Sequence, residues 1–450
     1  MKLSWKKILF GLVVILVFVL GYVLNDKLPI ATGYAAKNMC SCVFLADRSS
    51  EQIQKQDLNF SIVRFTKSKI DHSNQMVTTS LAGLFKRSAV YKNGLGCSLV
   101  FPHSPSPLDD FDRLDCRIDA GGEQIPTDSS SYKKELPQQN WNIDQNRLEN
   151  AVKSAFDSGE IQEKKTRAVV ILHQGELIAE HYAEGFDLAT PQLGWSMTKS
   201  VTNAITGILV MDGLISIDAP APIAAWKMDG RSAITIKHLL QQNPGLEWEE
   251  LYGDASDVTE MLYKQQSKSQ YAIEKPLVFP VGEKWIYSSG TSNILTHVLM
   301  QQFDGLNEYV CFVRQRLFTP LGMTAATMEP DASGEIVGSS YTFATPREWA
   351  RFGQLYLQDG MWEGNRILPE GWVDFTRQAS NGSEGVYGAH FWLNESHFYP
   401  SAPTDMFSAN GFQGQRIFIL PSHDLVIVRL GLSSDFDFDG LLREVLECFQ

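Results

Sequence analysis

The chain has 450 residues, 44% of them hydrophobic and 20% charged, a composition that supplies an enzyme-sized core and excludes a disordered or collagen-like chain. Its 39 Lys and Arg stand against 52 Asp and Glu, a formal charge of −13, and no basic run interrupts the body of the chain, so nucleic acid is not an expected partner. Six cysteines at this length do not make a small disulfide scaffold, and no C-x-x-C pair or His/Cys cluster has zinc spacing; no metal or other cofactor is expected.

Lys2, Lys6 and Lys7 precede an uncharged run from Ile8 to Leu24, whose 17 residues reach about 25 Å as a helix, near the lower limit for crossing a bilayer. The run exceeds the usual signal-peptide core, and Ala31-Thr32-Gly33 is a weak cleavage site. Residues 1–25 are therefore read as a membrane anchor, with a cleaved signal segment as the alternative. Lysines on the N-terminal side of an inner-membrane anchor leave the rest of the chain outside the cytoplasm, in a compartment that permits disulfides. Cys40, Cys42, Cys97 and Cys116 crowd into one segment while Cys311 and Cys448 stand apart. Bridging is expected among the first four, with the pairing open and buried free thiols as the alternative.

From 26 to 139, short apolar stretches such as Phe60 to Phe65 alternate with clusters such as Pro102-His103-Ser104-Pro105-Ser106-Pro107. This reads as an irregular, partly β extension that ends in a polar linker, Pro126 to Gln139. Leu148, Ala151, Val152, Ala155 and Phe156 then repeat at helical spacing and open the main domain, 140–450. Ala168 to Leu172 and Leu177 to Tyr182 are β-rich runs around a hairpin-length turn, His173-Gln174-Gly175-Glu176. At the far end Arg416 to Leu420 and Leu425 to Leu430 flank Pro421-Ser422-His423-Asp424, and a last helix is predicted from about Gly440 to Phe449. Between the two hairpins nearly everything reads as helix or loop. The economical arrangement is α+β: one antiparallel sheet built from both ends of the domain, flanked by helices, with a helical insertion between.

Gly194-Trp195-Ser196-Met197-Thr198 lacks the second glycine of an α/β-hydrolase elbow, and no H-E-x-x-H occurs. Asp435 to Gly440 starts like a calcium loop, but Leu446 stands where a bidentate Glu is needed, so these carboxylates are assigned to the start of the last helix. Ser-x-x-Lys occurs four times, at Ser4/Lys7, Ser130/Lys133, Ser131/Lys134 and Ser196/Lys199. Only Ser196 heads a buried-looking helix, with Val201, Ala204, Ile205, Ile208 and Leu209 on its apolar side. Residues i and i+3 share a helix face, so the Lys199 amine reaches the Ser196 hydroxyl, and burial lowers a lysine pKa enough for it to accept a proton. Further on, Tyr287-Ser288-Ser289 precedes another apolar helix. Gly411-Phe412-Gln413-Gly414-Gln415 opens a strand where glycine lets a substrate approach the backbone.

Taken together these segments resemble the serine β-lactamase and penicillin-binding-protein superfamily, within it the class C branch of esterases and peptidases, and most closely the 6-aminohexanoate-dimer hydrolases. The resemblance rests on Ser196 to Lys199, Ile234 to Leu240 with Pro244-Gly245-Leu246, Trp248 to Asp257, Tyr287 to Ser289, Tyr387-Gly388 before Phe391-Trp392, and Gly411 to Gln415. It implies an acyl-serine mechanism with Ser196 as nucleophile, Lys199 and Tyr287 sharing proton transfer, and Ser289 in the place of the family's Ser or Asn. It further implies an oxyanion hole from the backbone N–H groups of Ser196 and Phe412, substrate contacts along Gly411 to Gln415, and Tyr252 closing over an amide. One departure stands out: the Lys or His that β-lactamases and penicillin-binding proteins carry two residues before the strand glycine is here Ala409. The expected protein is an extracytoplasmic serine hydrolase of small-molecule amides or esters. The alternatives are a D-specific peptidase or an inert cell-wall-binding module, the latter having no need of Ser, Lys and Tyr together.

Overall fold

The structure, a computed structural model, describes residues 5–101, 104–109, 111, 113–116, 143–159 and 163–449, with the backbone alone for 6–20 and 22–26. The linker expected over 126–139 lies outside the described residues, as do nearly all side chains of the apolar run assigned to an anchor. Among the described residues no helix is long and apolar enough to cross a membrane.

The chain begins with one helix, α1 (Trp5–Phe44). The sequence reading takes the uncharged run Ile8 to Leu24 as the membrane segment and the residues beyond 25 as an irregular extension. The helix continues instead, and the Thr32 hydroxyl donates to the carbonyls of Leu28 and Pro29 at 3.2 and 3.3 Å beside the proline, which has no N–H of its own to give. From Ala31 to Cys42 every residue of α1 is buried. The helix lies across a four-stranded antiparallel meander in the order β1 (Thr66–Asp71), β2 (Met76–Leu81), β3 (Leu84–Lys92) and β4 (Gly96–Val100). The expected irregular extension is thus a helix packed on a regular sheet. Its strands escape a hydrophobicity reading because Thr79 and Ala89 occupy core-facing places beside Val77 and Leu99, so the period-two contrast is faint.

Two bonds tie this layer down. Cys40 on α1 is joined to Cys97 on β4. Cys116 is joined to Cys311, not to a neighbour within the extension, while Cys42 and Cys448 are free and buried. The Cys40–Cys97 bridge is one of those expected among the four crowded cysteines. Crowding misled only for Cys116, because bridging requires Cα atoms about 4.4 to 6.8 Å apart, while Cys42 points to Arg48, its thiol 3.7 Å from the guanidinium. Deeper in, the Lys37 ammonium on α1 pairs with the Glu329 carboxylate, which also accepts from the Ser41 hydroxyl at 2.8 Å and the Cys97 N–H at 2.6 Å.

The main sheet has six antiparallel strands and is assembled from both ends of the domain, as the two hairpins required. Near the start are α2 (Gln145–Ser154), β5 (Thr166–His173) and β6 (Glu176–Tyr182); at the end are β7 (Trp392–Leu393), β8 (Phe407–Gly411), β9 (Gln415–Leu420) and β10 (Leu425–Gly431). Their order is β7-β8-β9-β10-β5-β6, closed by pairing of β10 with β5, for example Val428 with Val170. Alternation splits the side chains between two cores. Ala168, Val170, Ala409, Ile417, Ile419 and Val428 share a core with α3 (Met197–Met211) and α5 (Pro346–Leu357). Val169, Ile171, Phe418 and Ile427 face α2 and α6 (Phe438–Leu446). The last helix starts earlier than predicted because Asp437 caps it, accepting from the Gly440 N–H at 2.8 Å. The helices between the hairpins include α4 (Ser289–Met300), which packs beside α3.

Candidate active site

Ser196 opens α3 and makes no capping bond, so its hydroxyl is not spent on the helix end. The preceding Trp195 is held at φ 48°, in the left-handed region, and α1 supports it from outside by stacking Tyr34 on its ring at 6.0 Å. One turn into α3, Lys199 is 1% exposed. Its Nζ lies 3.1 Å from Ser196 Oγ, 3.0 Å from Ser289 Oγ and 3.2 Å from the Ser339 carbonyl. Burial pushes the ammonium down to about 8, against the opposing field of Glu250.

The second contributor is the turn into α4, whose cap Ser288 accepts from the Thr291 N–H at 2.9 Å. Burial, reinforced by Glu250, raises the phenol of Tyr287, just before that cap, above the ordinary tyrosine range. Its ring lies 4.8 Å from Lys199 Nζ and is wedged by Tyr387 and Trp392 at 5.7 and 5.2 Å. Ser289 is the first residue of α4 and is completely buried.

The third contributor is the end of β8. A Cβ on Gly411 would lie 2.1 Å from the Gly194 carbonyl oxygen, so only glycine lets the strand end come against the segment that leads into Ser196. Neither the Ser196 nor the Phe412 backbone N–H has an acceptor among the described residues, and the Phe412 ring packs edge-on against Trp195 at 5.5 Å. Tyr252 reaches the same place, stacked on Phe412 at 4.6 Å. A buried serine hydroxyl, a lysine with a lowered pKa, a protonated phenol and two uncommitted N–H groups are groups that acyl transfer through serine can use.

The sequence pattern of the Beta-lactamase family matches residues 159–443, more than half of the chain. The chain belongs to the beta-lactamase family. It is a serine hydrolase related to the β-lactamases. The chain is 24% identical over 305 residues to the 6-aminohexanoate-dimer hydrolase of Paenarthrobacter ureafaciens, covering 62% of this chain and 75% of that one. Among solved structures, a candidate 6-aminohexanoate-dimer hydrolase of Bacillus anthracis is 23% identical with a TM-score of 0.54, covering 63% of this chain and 77% of its own. A family VIII carboxylesterase is 15% identical with a TM-score of 0.53, covering 69% and 99%. These two likenesses bear on the fold.

As a beta-lactamase family member the chain departs from expectation at Gln415. The Gln415 side chain is 3% exposed. It spends its amide on the carbonyls of Phe412 and Gly431, at 3.1 and 2.6 Å, and on the Gly431 N–H at 3.0 Å. Gln415 therefore braces the turn and has no group left for substrate. Arg416 alternates onto the α6 face of the sheet, where its guanidinium lies 4.3 Å from the Phe438 ring centre and donates to the carbonyls of Gly411 and Gln415. Ala409, on the α3 face, is 1% exposed and brings no charge.

Three contributors went unread in the sequence. Glu250 accepts from the Ser289 hydroxyl at 2.5 Å, the Ser289 N–H at 2.9 Å, the Trp248 indole at 2.5 Å and the Tyr252 hydroxyl at 2.8 Å. The alternation Trp248, Glu250, Tyr252 was the available signal. Ser339 contributes only its carbonyl, which no side-chain pattern reveals. His390 bonds the Lys199 carbonyl at 2.9 Å and Ser292 at 3.1 Å; burial and the neighbouring Lys199 push it down to about 3, so it is a neutral strut between α3 and α4.

Proposed function

We propose that this protein hydrolyses neutral short-chain esters or small amides through an acyl-Ser196 intermediate. The observation that carries the reading is the Lys199 amine, buried, lowered to about 8 and 3.1 Å from Ser196 Oγ. In its neutral form Lys199 takes the Ser196 proton as Oγ attacks the carbonyl. The developing oxyanion is received by the N–H groups of Ser196 and Phe412, and Tyr287, which keeps its proton, gives it to the leaving group. Water then attacks the acyl group, giving its proton to the Tyr287 phenolate, while Lys199 returns its proton to Ser196 Oγ as the acid leaves. Replacing Ser196 with Ala should abolish both turnover and labelling by a fluorophosphonate, read by intact mass; a fully labelled variant would remove the assignment.

Neutral substrates are favoured because a carboxylate buried beside β8 without a paired cation costs several kcal/mol. Ala409 supplies none, and the Arg416 guanidinium is turned to the α6 face and bonded to the Gly411 and Gln415 carbonyls. Benzylpenicillin is therefore expected to turn over with a kcat/KM at least about 100-fold below that for p-nitrophenyl butyrate, a difference of about 2.7 kcal/mol. Equal values would reverse this. A peptide C-terminus needs the same cation, which sets the D-specific peptidase behind this reading. The similarity to a 6-aminohexanoate-dimer hydrolase supports an amide as well as an ester. We further propose attachment to a membrane through residues 1–25 with the catalytic domain outside the cytoplasm. Lys2, Lys6 and Lys7 before the apolar run and the two disulfides support it.

A further inference from the structure

Glu250 lies in the extended stretch that leads to Tyr252, and all four of its carboxylate contacts are donors: Ser289 Oγ, Ser289 N, Trp248 Nε1 and Tyr252 OH. A carboxylate accepts and cannot donate. The single hydroxyl hydrogen of Ser289 is thereby committed to Glu250, and Ser289 Oγ has only lone pairs to offer Lys199, 3.0 Å away. The Ser339 carbonyl, 3.2 Å from the same nitrogen, also only accepts. A neutral amine has two hydrogens and one lone pair. With the two hydrogens drawn to Ser289 Oγ and Ser339 O, the third direction, at 3.1 Å, is Ser196 Oγ.

We propose that Glu250 is a positioning residue: by holding the Ser289 hydroxyl as a donor, it forces Lys199 to spend a hydrogen on Ser289 and leaves the Lys199 lone pair aimed at the Ser196 proton. This rests on Lys199 as the base. A glutamine at 250 could offer its amide N–H to Ser289, letting the Ser289 hydroxyl turn toward Lys199 and donate to the lone pair that Ser196 needs. Proton count is unchanged throughout: the Ser196 proton moves to Nζ, and neither Ser289 nor Glu250 changes protonation. The titratable groups facing Lys199 are Glu250 and Tyr252 from the stretch 248–252, Tyr287 before α4 and His390 before β7. Glu250 is the one whose field raises Lys199, while His390 is held neutral by burial.

The test is steady-state hydrolysis of p-nitrophenyl butyrate by full-length Glu250→Gln, Glu250→Asp, Ser289→Ala and the Glu250→Gln/Ser289→Ala double variant. Glu250→Gln should lower kcat by about 10- to 100-fold, the scale of a misdirected catalytic group, with KM within about threefold. Its acid limb should move to lower pH, since the anion that favours the ammonium is gone. Glu250→Asp, which keeps the charge and the acceptor-only character, should hold the acid limb in its wild-type place, and it carries the test if the glutamine variant does not fold. The double variant should be no slower than the slower single one, because Glu250 acts through Ser289. Wild-type kcat in Glu250→Gln, or losses that multiply in the double variant, would overturn the proposal. Labelling of wild-type protein at Ser196 stands apart from these outcomes, so the nucleophile assignment can survive while this inference fails.

Discussion

Lys199→Ala is expected to lower kcat for a neutral ester by about 10²- to 10⁴-fold, the contribution of a general base, with the fold intact as judged by circular dichroism. Tyr287→Phe should fall in the same range. The wild-type pH profile carries the sign. In the proposed mechanism Lys199 works only when neutral, and burial brings it to about 8. Below that value the amine is protonated and kcat/KM should fall about tenfold per pH unit; above it the rate should level off. Tyr287, raised by burial, keeps its proton across this window, so it adds no alkaline limb there. A profile that stays flat between about pH 6 and 9, together with near-wild-type rates in both variants, would require another base.

Lys37→Ala should cost about 3 to 5 kcal/mol of stability, read as a shift in the urea midpoint at unchanged slope. The reason is what remains behind. Glu329 has no exposed surface, and without the ammonium its carboxylate keeps, among the described residues, the Ser41 hydroxyl and the Cys97 N–H. Replacing both partners with apolar residues, as in Lys37→Met with Glu329→Leu, should cost less than the single change, because no uncompensated charge is buried. A single-variant loss under about 1 kcal/mol would mean the site admits water. The consequence reaches catalysis, since the same helix carries Tyr34 against Trp195, the residue before the nucleophile.

The segments of the candidate site were more legible than the architecture of the N-terminal layer in this chain. Ser196 and Lys199 stand one helical turn apart, so a single helix brings them together whatever the rest of the molecule does. Tyr287 and Gly411 could be singled out because each sits at the head or foot of a regular element that can be recognised from its own periodicity. Gln415 shows where that approach fails: it lies in the right segment, but the bonds it makes are to Gly431, across the sheet.

The hairpins at the two ends of the domain, the helix headed by Ser196 and the missing cation at Ala409 were all settled by residues close together along the chain, where backbone periodicity alone fixes which side chains share a face. The burial of α1, the Cys116–Cys311 bridge, the direction of Arg416 and the four donors gathered by Glu250 depended on the folded chain. Each of these is a choice of partner at long range, and such a choice is made by packing and desolvation over the whole molecule, which leave no periodic trace in the sequence around either partner.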